Sequence, residues 1–168
     1  TITGIGLNSA GLAQKVGESG VLGISFMNMN YGDIQITTTE LPEGGIGTFS
    51  PSSTNFNIAY AKKFSSSISG GLNLKVVSQA ISNVRAQGIA IDAGIRYVTG
   101  ETDNIKFAIS LKNVGPPMSF SGDGLSIDML NPSTSISIGM KQRVSTFELP
   151  SQLNIGASYD FNFNESNK

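Results

Sequence analysis

The 168-residue chain contains no cysteine, no histidine and no tryptophan. Without cysteine there is no disulfide framework and no thiolate metal site. Without histidine as well, the common zinc ligands and the usual base of a nucleophilic triad are missing. Neither an enzyme nor a cofactor or bound metal is expected. Charged residues are scarce at 14%, the formal net charge is −1, and the charges are scattered. A nucleic-acid partner is not expected, because phosphate binding needs a concentrated basic surface. No apolar run approaches the ~18 residues of a helical membrane span, and helical periodicity is hard to find.

Alternation is what the chain has instead. From Asn104 to Lys112, Ile105, Phe107, Ile109 and Leu111 fall on one side, and Lys106, Ala108, Ser110 and Lys112 on the other. Successive side chains of a strand point to opposite faces, so this is one apolar and one cationic face. Leu72, Leu74 and Val76 alternate likewise with Gly71, Asn73 and Lys75. Ile89, Ile91, Ala93, Ile95 and Tyr97 alternate with Ala90, Asp92, Gly94 and Arg96. Eight strands are expected, at 2–13, 20–38, 54–63, 69–83, 87–99, 104–113, 134–144 and 151–161.

Tight turns at Val16–Gly20, Phe64–Ile68 and Gly100–Asn104 follow the first, third and fifth of these strands. Long connections at 39–53 and 114–133 follow the second and sixth, and a moderate one around Gln79–Ala86 follows the fourth. An up-and-down meander then collects its tight turns at one rim and its longer loops at the other, the asymmetry of outer-membrane barrels. Strands of ~9 to 11 residues suffice to cross a bilayer in that architecture. A soluble sheet with one wet face shows the same alternation.

Tyr60, Tyr97 and Phe107 sit on apolar faces close to tight turns, with Phe64 inside one, and are expected to form an aromatic band at that rim. Phe26, Phe56 and Phe161 are the candidates for the opposite rim; ordinary core aromatics of a sandwich are the alternative. The polar faces carry Lys75, Asp92, Arg96, Lys106, Lys112, Lys141, Arg143 and Asp160 among Gly, Ala, Ser and Asn. Of these, Lys75, Asp92, Arg96, Lys106 and Lys112 are the expected lumen-facing residues. Asp92 and Arg96 lie too far apart along one strand to pair, but neighbouring strands bring Lys75 or Lys106 within reach. The apolar face holds almost no charge through strands four to six, as lipid requires, since a charge at mid-bilayer costs ~2 to 4 kcal/mol.

The glycine-rich stretches Gly44–Gly47 and Gly122–Gly124 precede no helix and so lack the N-terminus a phosphate loop needs. Asp123 and Asp128 do not have the spacing of a calcium loop. Asn113-Val-Gly-Pro-Pro-Met118 ends a strand abruptly, since proline supplies no ladder donor. Loops carrying Met, Phe and Gly often bind partners. Met118, Phe120, Asp123 and Leu125, together with Phe49, are the candidate partner-binding residues.

Several segments in order complete the pattern: Asn30-Tyr-Gly-Asp-Ile34 with Thr37-Thr38, Phe49-Ser-Pro-Ser-Ser53, Ile58-Ala-Tyr-Ala-Lys-Lys-Phe64, Gly88-Ile-Ala-Ile-Asp-Ala-Gly94, Leu111-Lys-Asn-Val-Gly-Pro-Pro-Met118, and Leu149-Pro150 followed by Ile155-Gly-Ala-Ser-Tyr-Asp160. This series resembles the PorV/PorQ family of outer-membrane proteins, similar in fold to FadL-type transporter barrels, from about Leu22 to Phe161. The resemblance implies an all-β, antiparallel up-and-down transmembrane barrel of fourteen strands in the outer membrane, serving the type IX secretion system. It implies secreted cargo proteins and the translocon as partners, contacted through extracellular loops, with outer-membrane lipid around the wall and no catalytic residues. With about eight strands and no Asn-Pro-Ala-type N-terminal segment, residues 1–168 are expected to be a single barrel domain or a portion of a larger one. A FadL-like transporter for hydrophobic small molecules and a soluble all-β binding domain are the alternatives.

Overall fold

The computed structural model describes residues 4–130, 137–141 and 144–161, with side-chain surroundings for these apart from Asp123 and 126–141. Among them the fold is all-β. In chain order the strands are β1 Gly6–Val16, β2 Gly20–Asn30, β3 Ile34–Gln35, β4 Thr48–Phe49, β5 Ser52–Lys63, β6 Ile68–Ile81, β7 Val84–Thr99, β8 Ile105–Val114, β9 Phe120–Ser121, β10 Ser126–Leu130, β11 Ser137–Lys141 and β12 Gln152–Tyr159. A 3-10 turn at Asp123–Leu125 is the one helical element among the described residues.

An eight-stranded antiparallel sheet runs in the order β1-β2-β5-β6-β7-β8-β12, with β9 attached to β7. Sequence neighbours are therefore spatial neighbours once β9 and the β3–β4 and β10–β11 hairpins are set aside. Among the described residues β1 and β12 each have one partner in the sheet. The connections at Gly17–Ser19, Phe64–Ser67 and Gly100–Asn104 lie at one rim; those at 31–51 and Ser82–Asn83, and the start and end of the connection from β8 to β12, lie at the other.

Three expectations about strand extent and pairing are corrected. The connection expected at Gln79–Ala86 is a two-residue turn with Ser82 at a positive φ of 51°, because the β6–β7 pairing zips to Ile81 and Val84. The strand expected over 134–144 is, where described, β11, which pairs with β10 and not with the large sheet; 131–136 and 142–143 lie outside the described residues. The second strand stops at Asn30 instead of reaching Thr38. There the Asn30 Oδ1 accepts the Gly32 N–H at 2.8 Å, a local side-chain turn that competes with the ladder.

Register explains why the sheet has two unlike faces. Ile24, Ile58, Leu74 and Ile91 stand in one cross-strand row, and Ile95, Ile109 and Ile155 in another. These side chains remain open, Ile95 at 58% and Ile155 at 73% exposure, and nothing among the described residues covers them. The only charges on this face of the long strands are Lys62 and Arg85, one near each rim. Phe26 and Phe56 pair directly, and Tyr97 pairs with Phe107. Phe161 is corrected to the tight-turn rim, because β12 ends there and the rings of Tyr159 and Phe161 meet at 4.6 Å.

The buried core lies on the opposite, polar face and is small: Val77, Ala86, Ala90 and Met118. After β8 the chain turns back along the first half of β7. Pro116 and Pro117 break the ladder, Phe120 regains it opposite Ala86, and Met118 drops onto Gly88. A Cβ on Gly88 would land on the Met118 Sδ and Cγ, and one on Gly115 would land on the Ile89 carbonyl oxygen. Gly88→Ala is expected to cost ~1 to 3 kcal/mol by overpacking. The same change in a Met118→Ala background should cost much less, and a urea double-mutant cycle measures the coupling; additive costs would separate the two residues.

Candidate functional site

Across the middle of the polar face the strands bring together a polar network. Lys75 on β6 stands diagonally from Asp92 on β7, and the Lys75 Nζ lies 2.9 Å from the Asp92 Oδ2, each side chain 18% exposed. Asn73, directly opposite Asp92, donates from Nδ2 to the Asp92 Oδ2 at 3.0 Å and to the Asn57 Oδ1 at 3.4 Å. Asn57 in turn donates to the Ser25 Oγ at 3.2 Å. Polar contacts thus reach from β2 to β7 without a break.

A β-bulge extends the network to β8. The β7–β8 register shifts between Ile91 and Ala93, so that Lys112 and Asn113 together oppose Asp92. Asn113 takes a φ of 58°, a conformation asparagine tolerates better than most side chains. Its N–H donates to the Asp92 Oδ1 at 2.8 Å. Its Oδ1 accepts from the Lys75 Nζ at 2.7 Å, and its Nδ2 donates to the Pro150 carbonyl at 3.0 Å. Asp92 therefore holds both the lysine and the bulge. The Asn73 Oδ1 is enclosed and accepts no hydrogen bond from the described residues.

All five expected lumen residues lie on this polar face. Lys75 and Asp92 are joined, and Lys106 pairs instead with Asp160 just beyond β12. Arg96 and Lys112 stand apart from the network. Lys141 and Arg143 fall where side chains are not described. Asn73, Asn57 and Asn113 are the members that charge-based reading missed. Alternation placed Asn73 on the correct face, whereas the bulge that turns Asn113 inward has no local signature.

The candidate partner-binding residues separate. Met118 is corrected from loop surface to core at 2% exposure, held by backbone hydrogen bonds in both directions with Phe147. Phe120 is half-buried and stacks on Phe147 with centroids 5.4 Å apart. Leu125 is half-buried in the 3-10 turn, and the Asp123 side chain lies outside the described residues. Phe49 belongs to the β3–β4 hairpin, opposite Ile34, where the Ser50 hydroxyl donates to Asp33. Phe49, Phe120 and Leu125 are thus rim residues, while Met118 fastens the returning segment to the sheet. Phe147 is the member that sequence reading missed.

No protein-family model, curated protein or solved structure matches the chain. The roles of these residues therefore rest on geometry.

Proposed function

We propose that this chain forms wall of an outer-membrane β-barrel of the PorV/PorQ kind, working in type IX secretion and meeting secreted proteins or the translocon through its loop rim. The observation that carries the reading is the apolar face: bare, continuous across seven strands, and charged only at its two ends. A soluble sheet buries such a face against a second layer. From Ile89 to Tyr97 the band covers ~26 Å along β7 at ~3.3 Å per residue, or ~20 Å across the bilayer after a ~40° tilt. Asn28, Thr54, Ser78 and Gln87 follow as a polar row towards the loop rim. Tyr60, Tyr97, Phe107 and Tyr159 stand towards the other, where amphipathic rings favour an interface.

The ordered sequence series supports the secretion assignment, and the chemistry of the two rims supports loop-mediated contact. A conduit for hydrophobic small molecules is less well served, because the polar face offers charges, amides and small residues in place of an apolar path.

Expressed in its natural host, the protein should remain in the membrane pellet through alkaline extraction and dissolve only with detergent. A photo-reactive residue at Phe49 should cross-link a secreted protein of the type IX pathway or a translocon component, whereas one at Ile109 should cross-link lipid. Release into buffer as a monomer would overturn the membrane reading. Retention with no protein cross-link from Phe49 or Leu125 would overturn the loop assignment alone.

A further inference from the structure

The polar face has a charge imbalance that the secretion reading leaves unused. On the long strands it presents Lys15, Lys63, Lys75, Arg96, Lys106 and Lys112. Against these stand Asp92, and Asp160 just past β12, and both are engaged by a lysine. Among the described residues Arg96 has no such partner. It lies opposite Ala108 on β8 and opposite Ser69 on β6, whose other neighbour is Lys63. Lys106, opposite Val98, is its diagonal neighbour. Three cations therefore gather towards the tight-turn end of one face.

Between Arg96 and Lys106 lies a hollow of about 380 Å³, floored by Ala108 and Gly156, with Ser158 at its edge opposite Lys106. A Cβ on Gly156 would meet nothing within 4 Å, so the space is open because the residues beneath it are small. Arg96, Lys106 and Ser158 are among the residues lining that space, and a guanidinium, an ammonium and a hydroxyl are donors that suit carboxylate or phosphate oxygens. The intervening Phe107 and Ala157 turn their side chains to the apolar face. No alkyl groove adjoins the donors among the described residues, which favours a hydrophilic anion over a lipid.

We propose that Arg96 and Lys106 form an oxyanion-binding site on the polar face, for a small hydrophilic carboxylate or phosphate, with the Asp160 carboxylate as its built-in competitor. The site is independent of the secretion reading and is measurable on the folded chain in detergent or buffer. Inorganic phosphate and acetate, titrated separately at constant ionic strength and followed by 31P and 13C line widths, test it. Saturable binding of either supports an oxyanion site, and the tighter of the two names the group preferred. Arg96→Gln should weaken binding at least ~10-fold, the loss of a charge-assisted hydrogen-bond pair, with partial recovery in Arg96→Lys. Gly156→Val should block the hollow without touching the backbone. Asp160→Asn should tighten binding by roughly 3-fold or more by freeing Lys106, a change of sign that a merely structural Lys106–Asp160 pair does not give. Lys112→Gln should change affinity less than ~2-fold. Strand circular dichroism confirms that each variant is folded. No saturation by either anion, unchanged affinity in folded Arg96→Gln or Gly156→Val, weaker binding in Asp160→Asn, or an equal loss in Lys112→Gln would each overturn the site.

Discussion

Ile109→Arg is expected to destabilise the protein in a bilayer by ~2 to 4 kcal/mol, while Ser110→Arg, one residue away, should change stability by no more than ~0.5 kcal/mol. Ile109 stands between Ile95 and Ile155 in the middle of the apolar face, where in lipid no side chain or water can solvate a guanidinium. Ser110 points the other way, between Gly94 and Asn154, into surroundings that already hold Arg96 and the Lys75–Asp92 pair. Chemical unfolding in lipid vesicles measures both values, and extraction from membranes gives a simpler readout. In water the order inverts, because an arginine on a bare apolar face costs little and improves solubility. Equal tolerance of the two substitutions in vesicles would remove the lipid from the account.

The second large effect is expected at Asp92. Asp92→Ala leaves the Lys75 ammonium with one neutral acceptor at Asn113 and strips the Asn113 N–H of its partner. Breaking a fully buried pair in this way costs ~3 to 5 kcal/mol, and an unsatisfied donor ~1 to 3 kcal/mol. With each side chain 18% exposed, water recovers part of this, and ~2 to 3 kcal/mol is expected from the shift of the denaturant midpoint. Asp92→Asn retains an acceptor for the bulge and should lose about half as much. If Asp92→Ala unfolds at the wild-type midpoint, Asp92 does not hold the bulge.

Much of this architecture was legible because the two sides of each long strand want different solvents. Leu72-Asn-Leu-Lys-Val76 and Ile105-Lys-Phe-Ala-Ile109 have one phase that keeps aliphatic side chains together, and a one-residue slip puts lysine among them. Register follows, and with it the meeting of Lys75 and Asp92. The stretch near 134–144 carries similar alternation in Ser135-Ile-Ser-Ile138, yet where described it pairs with β10. Alternation states that a strand has two faces and is silent about which strand lies beside it. Met118 was illegible for a related reason. Two prolines mark the end of a ladder correctly, but the hollow that receives the methionine is made by a missing Cβ at Gly88, on another strand. The hollow beside Gly156 is hidden in the same way.

The bulge at Asn113 also governs how the chain tolerates insertions and deletions. Up to Leu111 the odd-numbered side chains of β8 lie on the apolar face; beyond the bulge that place passes to even-numbered Val114, opposite Ile91. Removing one residue between them would take out the bulge, restore unbroken alternation and leave Val114 on the apolar face opposite Ile91. Removing two would invert the phase and send Val114 among the charges. Parity, more than length, decides which changes this part of the sheet can absorb.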